Sequence, residues 1–224
     1  MIAGWMQTHV GDVLTLAYGK SLPKKTRKPG AYPVYGSNGV VGTHVEPAVS
    51  GPGIIVGRKG SCGEVHYCGS DFWPIDTTYY VELNEEASLR FTSYLLSSLG
   101  LKEMNSHSTI PGLNRERAYR LPISLPPLPE QKKIAAVLVK IQRAIETQDK
   151  IIESLRDLKK STMQHLFTHG LHGEKTKLTD IGEIPQSWDV VALGEMGRVG
   201  NGSTPKKTNH AYWADGTIPW LTSG

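Results

Sequence analysis

The stretch from about Pro129 to His169 constrains this chain most. Its positions Ile134, Leu138, Ile141, Ile145, Gln148, Ile152 and Leu155 follow alternating steps of four and three, with one polar break at Gln148. That spacing is a heptad seam and predicts a single long amphipathic helix. Val137, Ala144, Ile151 and Leu158 widen the seam on one side, and Met163 and Leu166 extend it. Pro129 suits the first helical turn, where its missing N–H costs nothing, and Glu130 meets the positive helix end. Gly170 is placed to stop the helix. At about 1.5 Å per residue the helix is roughly 60 Å long. That is longer than a domain of about 125 residues is wide, so much of the seam is expected to find a partner beyond its own domain. Gln148 is the position expected to fix register.

Upstream of the helix, short β-like runs alternate with glycine. Val13–Tyr18 stops at Gly19, and Tyr32–Tyr35 stops at the turn Gly36-Ser37-Asn38-Gly39. Gly53–Gly57 reads as a buried strand, followed by Val65–Cys68 and the β-branched and aromatic run Thr77–Leu83. A shorter helix is predicted over Ser88–Leu99, ended by Gly100. Pro122–Pro129 reads as a stiff extended lead-in. The fold class expected is α+β: one mixed α/β domain over residues 1–125, a spacer helix over 126–170, and a further segment over 171–224.

That last segment repeats the first. Trp5, Gly11 and Asp12 recur as Trp188, Gly194 and Glu195 at a constant shift of 183. Val10, Leu16 and Gly19 meet Leu193, Val199 and Gly202 at the same shift. After a one-residue gap, the Pro-Lys-Lys ending at Lys25 matches the one ending at Lys207. Such a repeat implies a duplicated unit of domain plus helix. The second copy is too short to hold a core of its own. It is expected to be disordered, docked on the first domain, or docked on another chain, where Trp188, Val190, Val191 and Leu193 would take the place of Trp5 and Val10.

Composition narrows the function. With 38% hydrophobic and 21% charged residues the chain reads as globular and soluble. It has no apolar run of 18 residues, so no membrane span is expected. Its opening Met1-Ile2-Ala3-Gly4-Trp5 lacks the pattern of a secretion signal. Cys62 and Cys68 read as reduced structural thiols. No GxxxxGK[ST] or GxGxxG motif is present, so a nucleotide or methyl-donor pocket lacks its usual signature. His165, His169 and His172 have no acidic or cysteine ligand beside them and read as surface histidines. No catalytic residue, metal or resident cofactor is expected.

What remains suits a polyanion. The net charge is +4, and Lys20, Lys24, Lys25, Arg27 and Lys28 crowd between Gly19 and Gly30. Self-repulsion makes such a loop costly unless an anion visits, although a solvated loop is the plain alternative. Arg58, Lys59 and Ser61 lie on a glycine-flanked turn where backbone can approach a phosphate. Ser108, Thr109, Asn114 and Arg115 offer hydroxyls, an amide and a guanidinium, the groups that bond base edges and phosphates.

Two runs then carry a family likeness. Ser108-Thr-Ile-Pro-Gly-Leu113, followed by Leu121-Pro-Ile-Ser-Leu-Pro-Pro-Leu-Pro-Glu-Gln-Lys-Lys-Ile134 entering a long helix, resembles the specificity (S) subunit of type I restriction–modification systems. Gly182-Glu-Ile-Pro-Gln-Ser-Trp188 resembles the start of a target-recognition domain in that family. The resemblance implies two target-recognition domains, each followed by a long helix, with the helices packed antiparallel as a spacer. It implies that each domain reads half of a bipartite duplex DNA site. It also implies a non-catalytic, cytoplasmic subunit that works with methylation (M) and restriction (R) subunits. S-adenosylmethionine, ATP and magnesium would then belong to those partners. This chain carries one domain, one helix and the start of a second repeat, so two copies are expected to dimerise through the helix. A non-specific DNA-binding protein or a coiled-coil scaffold is the alternative.

Overall fold

The computed structural model describes residues 4–104 and 112–217. In chain order its first part runs β1 (Met6–His9), α1 (Val10–Val13), β2 (Leu14–Tyr18), β3 (Tyr32–Gly36) and β4 (Gly39–His44). β5 (Gly53–Gly57), β6 (Val65–Cys68), β7 (Trp73–Pro74) and β8 (Thr78–Leu83) follow, then α2 (Leu89–Ser98), α3 (Arg115–Tyr119) and β9 (Pro122–Leu125). The long helix α4 spans Leu128–His169. After it come the hairpin β10 (Thr176–Thr179) and β11 (Gly182–Pro185), and the single turn α5 (Leu193–Met196). The chain divides into two compact units, residues 1–149 and 150–224.

In the first unit an antiparallel sheet of order β2-β8-β5-β6 lies at the centre. A smaller sheet, β4-β3-β7, is antiparallel between β3 and β4 and parallel between β3 and β7. β5 is the strand buried on both faces, as its apolar run predicts. Its alternation divides the core. Ile54 and Val56 join Leu16, Phe91, Leu96 and Leu101 on one side. Ile55 joins Tyr35, Cys68 and Phe72 on the other. Both cysteines are free and buried.

Local expectations shift by a residue or two. Val13 closes α1 instead of opening β2, because Leu14 N–H bonds back to Val10 O and completes the helical turn there. α2 starts at Leu89 because Ser88 caps it, its hydroxyl oxygen accepting Phe91 N–H. The proline-rich lead-in contains a true strand: β9 pairs antiparallel with β1, His9 opposite Pro122. β1 and β4 are strands that no local sequence pattern announces.

α4 enters from this core. Gln131 and Ala135 are buried, and Ile134 packs against the main cluster. The seam then runs bare. Val137, Ile141, Ile145, Ile151, Ile152, Leu155 and Leu158 are between 45% and 60% exposed in the single chain. The helix ends as its sequence predicts: Gly170 takes a positive φ of 68° and its N–H bonds Leu166 O. In the second unit Ile184 and Pro185 of the hairpin are buried, and Trp188 meets Phe167 of α4 edge-on at 6.2 Å. This segment therefore keeps a small apolar contact of its own, which its shortness did not suggest. No helix among the described residues is long and apolar enough to cross a membrane.

Candidate nucleic-acid interface

The central sheet ends in a row of chain reversals. Tyr18 closes β2 opposite Tyr79, and Gly57 closes β5 opposite Thr78. The loops leaving these strands meet. Arg58 N–H and Lys59 N–H both donate to Thr77 O, at 2.9 and 3.1 Å. Leu113 N–H donates to Arg58 O at 2.9 Å, and Lys59 forms a bridge with Gly112. The turn beyond passes through Gly60 at a φ of +72°, a conformation that favours glycine. Hydrogen bonding thus ties the Arg58–Ser61 turn to the entry of α3, segments more than fifty residues apart.

The junction gathers charge around an aromatic ring. The Arg58 guanidinium carbon lies 4.9 Å from the Tyr18 ring centre and 5.9 Å from that of Tyr79. That of Arg115 lies 5.1 Å from Tyr18 and 5.8 Å from Tyr119. Arg58 is anchored by donating to Asp76 O at 2.7 Å. Tyr119 is anchored because its phenol oxygen accepts Leu16 N–H at 2.8 Å. Arg115 has Glu116 at 3.7 Å, while Arg58 has no carboxylate within ion-pair range among the described residues. Burial pushes the Tyr79 phenol up, the adjacent Tyr18 adds to this, and Arg58 opposes it. Tyr18 itself remains 53% exposed. Cation–π contact and backbone anchors hold the guanidiniums in place while leaving donors for an anion or a base edge.

Other expected residues sit as follows. Lys20, two residues past Tyr18, has its ammonium 5.8 Å from the Trp73 ring, and Trp73 Nε1–H donates to Lys20 O at 2.8 Å. Lys24 and Lys25 lie on an exposed 3-10 turn. Arg27 from the same loop is engaged, donating to Leu22 O and Val41 O. Lys59 and Ser61 are exposed on the turn. Asn114 serves the fold, since its Oδ1 accepts Arg117 N–H and caps α3. Ser108 and Thr109 lie outside the described residues. Tyr18, Tyr119 and Trp73 escape a reading of the sequence alone. The signal available for Tyr18 is its place at a strand end, just before Gly19-Lys20 in the cationic loop. On α4, Ile134 and Leu138 are half-buried, and Ile141, Ile145, Gln148, Ile152 and Leu155 are exposed. His165 and His169 stack at 4.7 Å, and no group of three or more metal-ligating side chains occurs among the described residues.

Comparison with known proteins gives a consistent result. The chain is 38% identical over 122 residues to the type I restriction enzyme MjaVIII specificity subunit of Methanocaldococcus jannaschii, a match covering 52% of this chain and 29% of that protein. It is 28% identical over 110 residues to the type I restriction enzyme EcoprrI specificity subunit of Escherichia coli, covering 49% and 27%. These matches thus span less than a third of the relatives' length. Its fold matches the type I restriction–modification S subunit from M. genitalium with a TM-score of 0.61 at 23% identity, over 73% of this chain and 46% of that one. The HsdS subunit from Thermoanaerobacter tengcongensis matches with a TM-score of 0.52 at 17% identity, over 76% and 46%. The model of the type I restriction modification DNA specificity domain matches residues 2–156, well over half of the chain, and the protein belongs to that family.

Proposed function

We propose that this chain reads duplex DNA in sequence-specific fashion as part of a type I restriction–modification complex. The observation that carries the reading is the convergence of Arg58 and Arg115 on the exposed Tyr18 ring, in a chain of the DNA specificity family. Guanidiniums held by backbone anchors suit phosphate and guanine edges. Lys20, Lys59 and Ser61 supply phosphate contacts around them, and Lys24, Lys25, Ser108, Thr109 and Asn114 are further candidate DNA contacts. The chain catalyses nothing itself. In the cytoplasm it directs methylation and restriction subunits, and those carry S-adenosylmethionine, ATP and magnesium. Residues 1–125 are the reading domain, 126–170 the spacer and 171–224 the start of a second repeat.

The bare seam of α4 supports a further part of this reading: two copies pair through Ile134, Leu138, Ile141, Ile145, Gln148, Ile152 and Leu155, and so present two reading domains. A two-fold pair would read a symmetric, interrupted site. The test is fluorescence anisotropy on labelled duplexes with the methylation subunit present, at about 50 and 200 mM salt. Affinity that falls steeply with salt and differs between duplex sequences supports the proposal. Binding indifferent to salt, or equal on every duplex, refutes it.

A further inference from the structure

We infer that Asp76 is a specificity-determining residue, its carboxylate accepting a hydrogen bond from the N4 amino group of a cytosine in the bound duplex. This role rests on the DNA-reading proposal above and names one base-contacting group within it.

The turn Ile75-Asp76-Thr77 ties together the segments that meet at the arginine junction. Thr77 O accepts three donors: the Ser37 hydroxyl at 2.6 Å, Arg58 N–H at 2.9 Å and Lys59 N–H at 3.1 Å. Asp76 O accepts an N–H of the Arg58 guanidinium at 2.7 Å. Thr78 N–H and the Thr78 hydroxyl both donate to Ile75 O, at 2.9 and 2.8 Å. Gly19 packs so closely that a Cβ there would lie 2.1 Å from Ile75 O. Gly19 N–H and Lys20 N–H bond Thr78 O and Pro74 O, at 3.0 and 2.9 Å. The ends of β2 and β5 and the turn between β3 and β4 therefore pin this turn, with Asp76 exposed on it.

The fold leaves the Asp76 carboxylate unused. Glu64 pairs with Lys102 at 2.8 Å, and Asp71 accepts Gly51 N–H at 2.8 Å. Asp76 has no such task. Its φ is not positive, so the backbone does not call for an aspartate there. Among the described residues its side chain makes no hydrogen bond. No cation among them lies within ion-pair range of it, although Arg58 bonds its backbone O.

A bare carboxylate beside Arg58 and Lys59 repels phosphate and so lowers affinity for duplex DNA of any sequence. It is favourable only where a donor faces it. In the major groove those donors are the amino groups of cytosine and adenine. Adenine carries the N7 acceptor beside its amino group, which repels the second carboxylate oxygen. Cytosine presents its N4 amino group without such an acceptor, so it is the base that fits. Guanine O6 and N7 and thymine O4 are repelled. One charge thus disfavours wrong sequences and favours the right one.

The experiment offers the full chain, with a methylation subunit of the proposed complex, a pool of random duplexes and sequences the bound DNA. The wild type is expected to select a sequence containing a G·C pair that Asp76→Ala no longer selects, every other position staying the same. On duplexes changed at that pair alone, wild-type affinity is expected to fall about 5- to 150-fold, while that of Asp76→Ala stays level. Asp76→Asn keeps the shape without the charge and is expected to admit adenine at that pair. An identical sequence selected by the wild type and both variants overturns this role and leaves the DNA-reading proposal standing. So does a gain in affinity on all duplexes alike, which would mean that the carboxylate only repels phosphate, or lost selection at an A·T pair instead. A wild type that selects no sequence at all refutes the DNA-reading proposal and this role with it.

Discussion

The Oε1 of Gln131 accepts the backbone N–H of Ser88 at 2.9 Å, and its Nε2–H donates to Pro126 O at the same distance. One buried side chain, 2% exposed, thereby ties the start of α4 to the cap of α2 and to the end of β9. Gln131→Ala leaves a buried donor and a buried acceptor without partners, each costing about 1–3 kcal/mol. Urea unfolding of this variant is expected to show a loss of about 2–4 kcal/mol, with Gln131→Glu also destabilised because a carboxylate cannot donate to Pro126 O. Unchanged midpoints would show that this tie adds nothing to stability.

Arg58→Ala and Arg115→Ala are expected to weaken DNA binding by about 1–3 kcal/mol each where the guanidinium reads a base edge. Where it meets a phosphate, the salt slope falls by about one and all sequences weaken alike. Anisotropy titrations over several salt concentrations separate these outcomes. Tyr18→Ala removes the ring on which both guanidiniums rest, so it should weaken binding while the half-exposed position leaves thermal unfolding almost unchanged. Wild-type affinity in all three variants would show that DNA meets another face.

Ile145→Asp puts a charge into the bare seam of α4. Sedimentation at micromolar concentration is expected to change from dimer to monomer while circular dichroism keeps its helix signal. Gln148→Leu should strengthen association and loosen its register, because a single polar seam residue favours one pairing at a cost in stability. Wild-type sedimentation that is monomeric throughout contradicts pairing through this helix.

Acid should weaken the start of the chain. The Asp12 carboxyl is held below its ordinary value of 3.8, first by the Thr8 hydroxyl and next by His9 N–H, at 2.8 and 3.0 Å. A lowered folded-state pKa gives stability that is present above 3.8 and lost as pH falls through the folded value. Asp12→Ala is therefore expected to lower the urea midpoint at neutral pH and to match the wild type in strong acid. The group is exposed, so the difference is small. An equal deficit at both pH values would mean that its charge state contributes nothing.

The alkaline side has a counterpart in Tyr35, whose phenol is pushed up to about 12, chiefly by burial and next by Cys68. A raised folded-state pKa gives stability that is complete below 10 and lost as pH rises through 12. Tyr35→Phe is expected to flatten the loss of stability across that window. An identical alkaline unfolding curve would place the titration elsewhere.

Legibility follows range along the chain. The helix α4 is readable because its seam, entry proline and closing Gly170 all lie within one local window. β5 is readable because an apolar run between glycines has few other uses. β1 and β9 carry little local signal, and their pairing joins Met6 to Leu125 across the whole domain. The charged junction is half legible. Arg58 and Arg115 stand out as donors, but their convergence on Tyr18 depends on the strand order β2-β8-β5, which no local spacing encodes. Asn114 reads as a free amide because capping of a five-residue helix is hard to see in sequence.

The measurement closest to the central claim is a map of methylated positions in a host that carries this chain with a methylation subunit of the proposed complex. Sequence-specific reading predicts that the methylated sites share one interrupted DNA sequence, symmetric if two copies pair through α4, and that Arg58→Ala together with Arg115→Ala erases or broadens it. Methylation scattered without a common sequence, or a common sequence unchanged by both substitutions, would contradict the account.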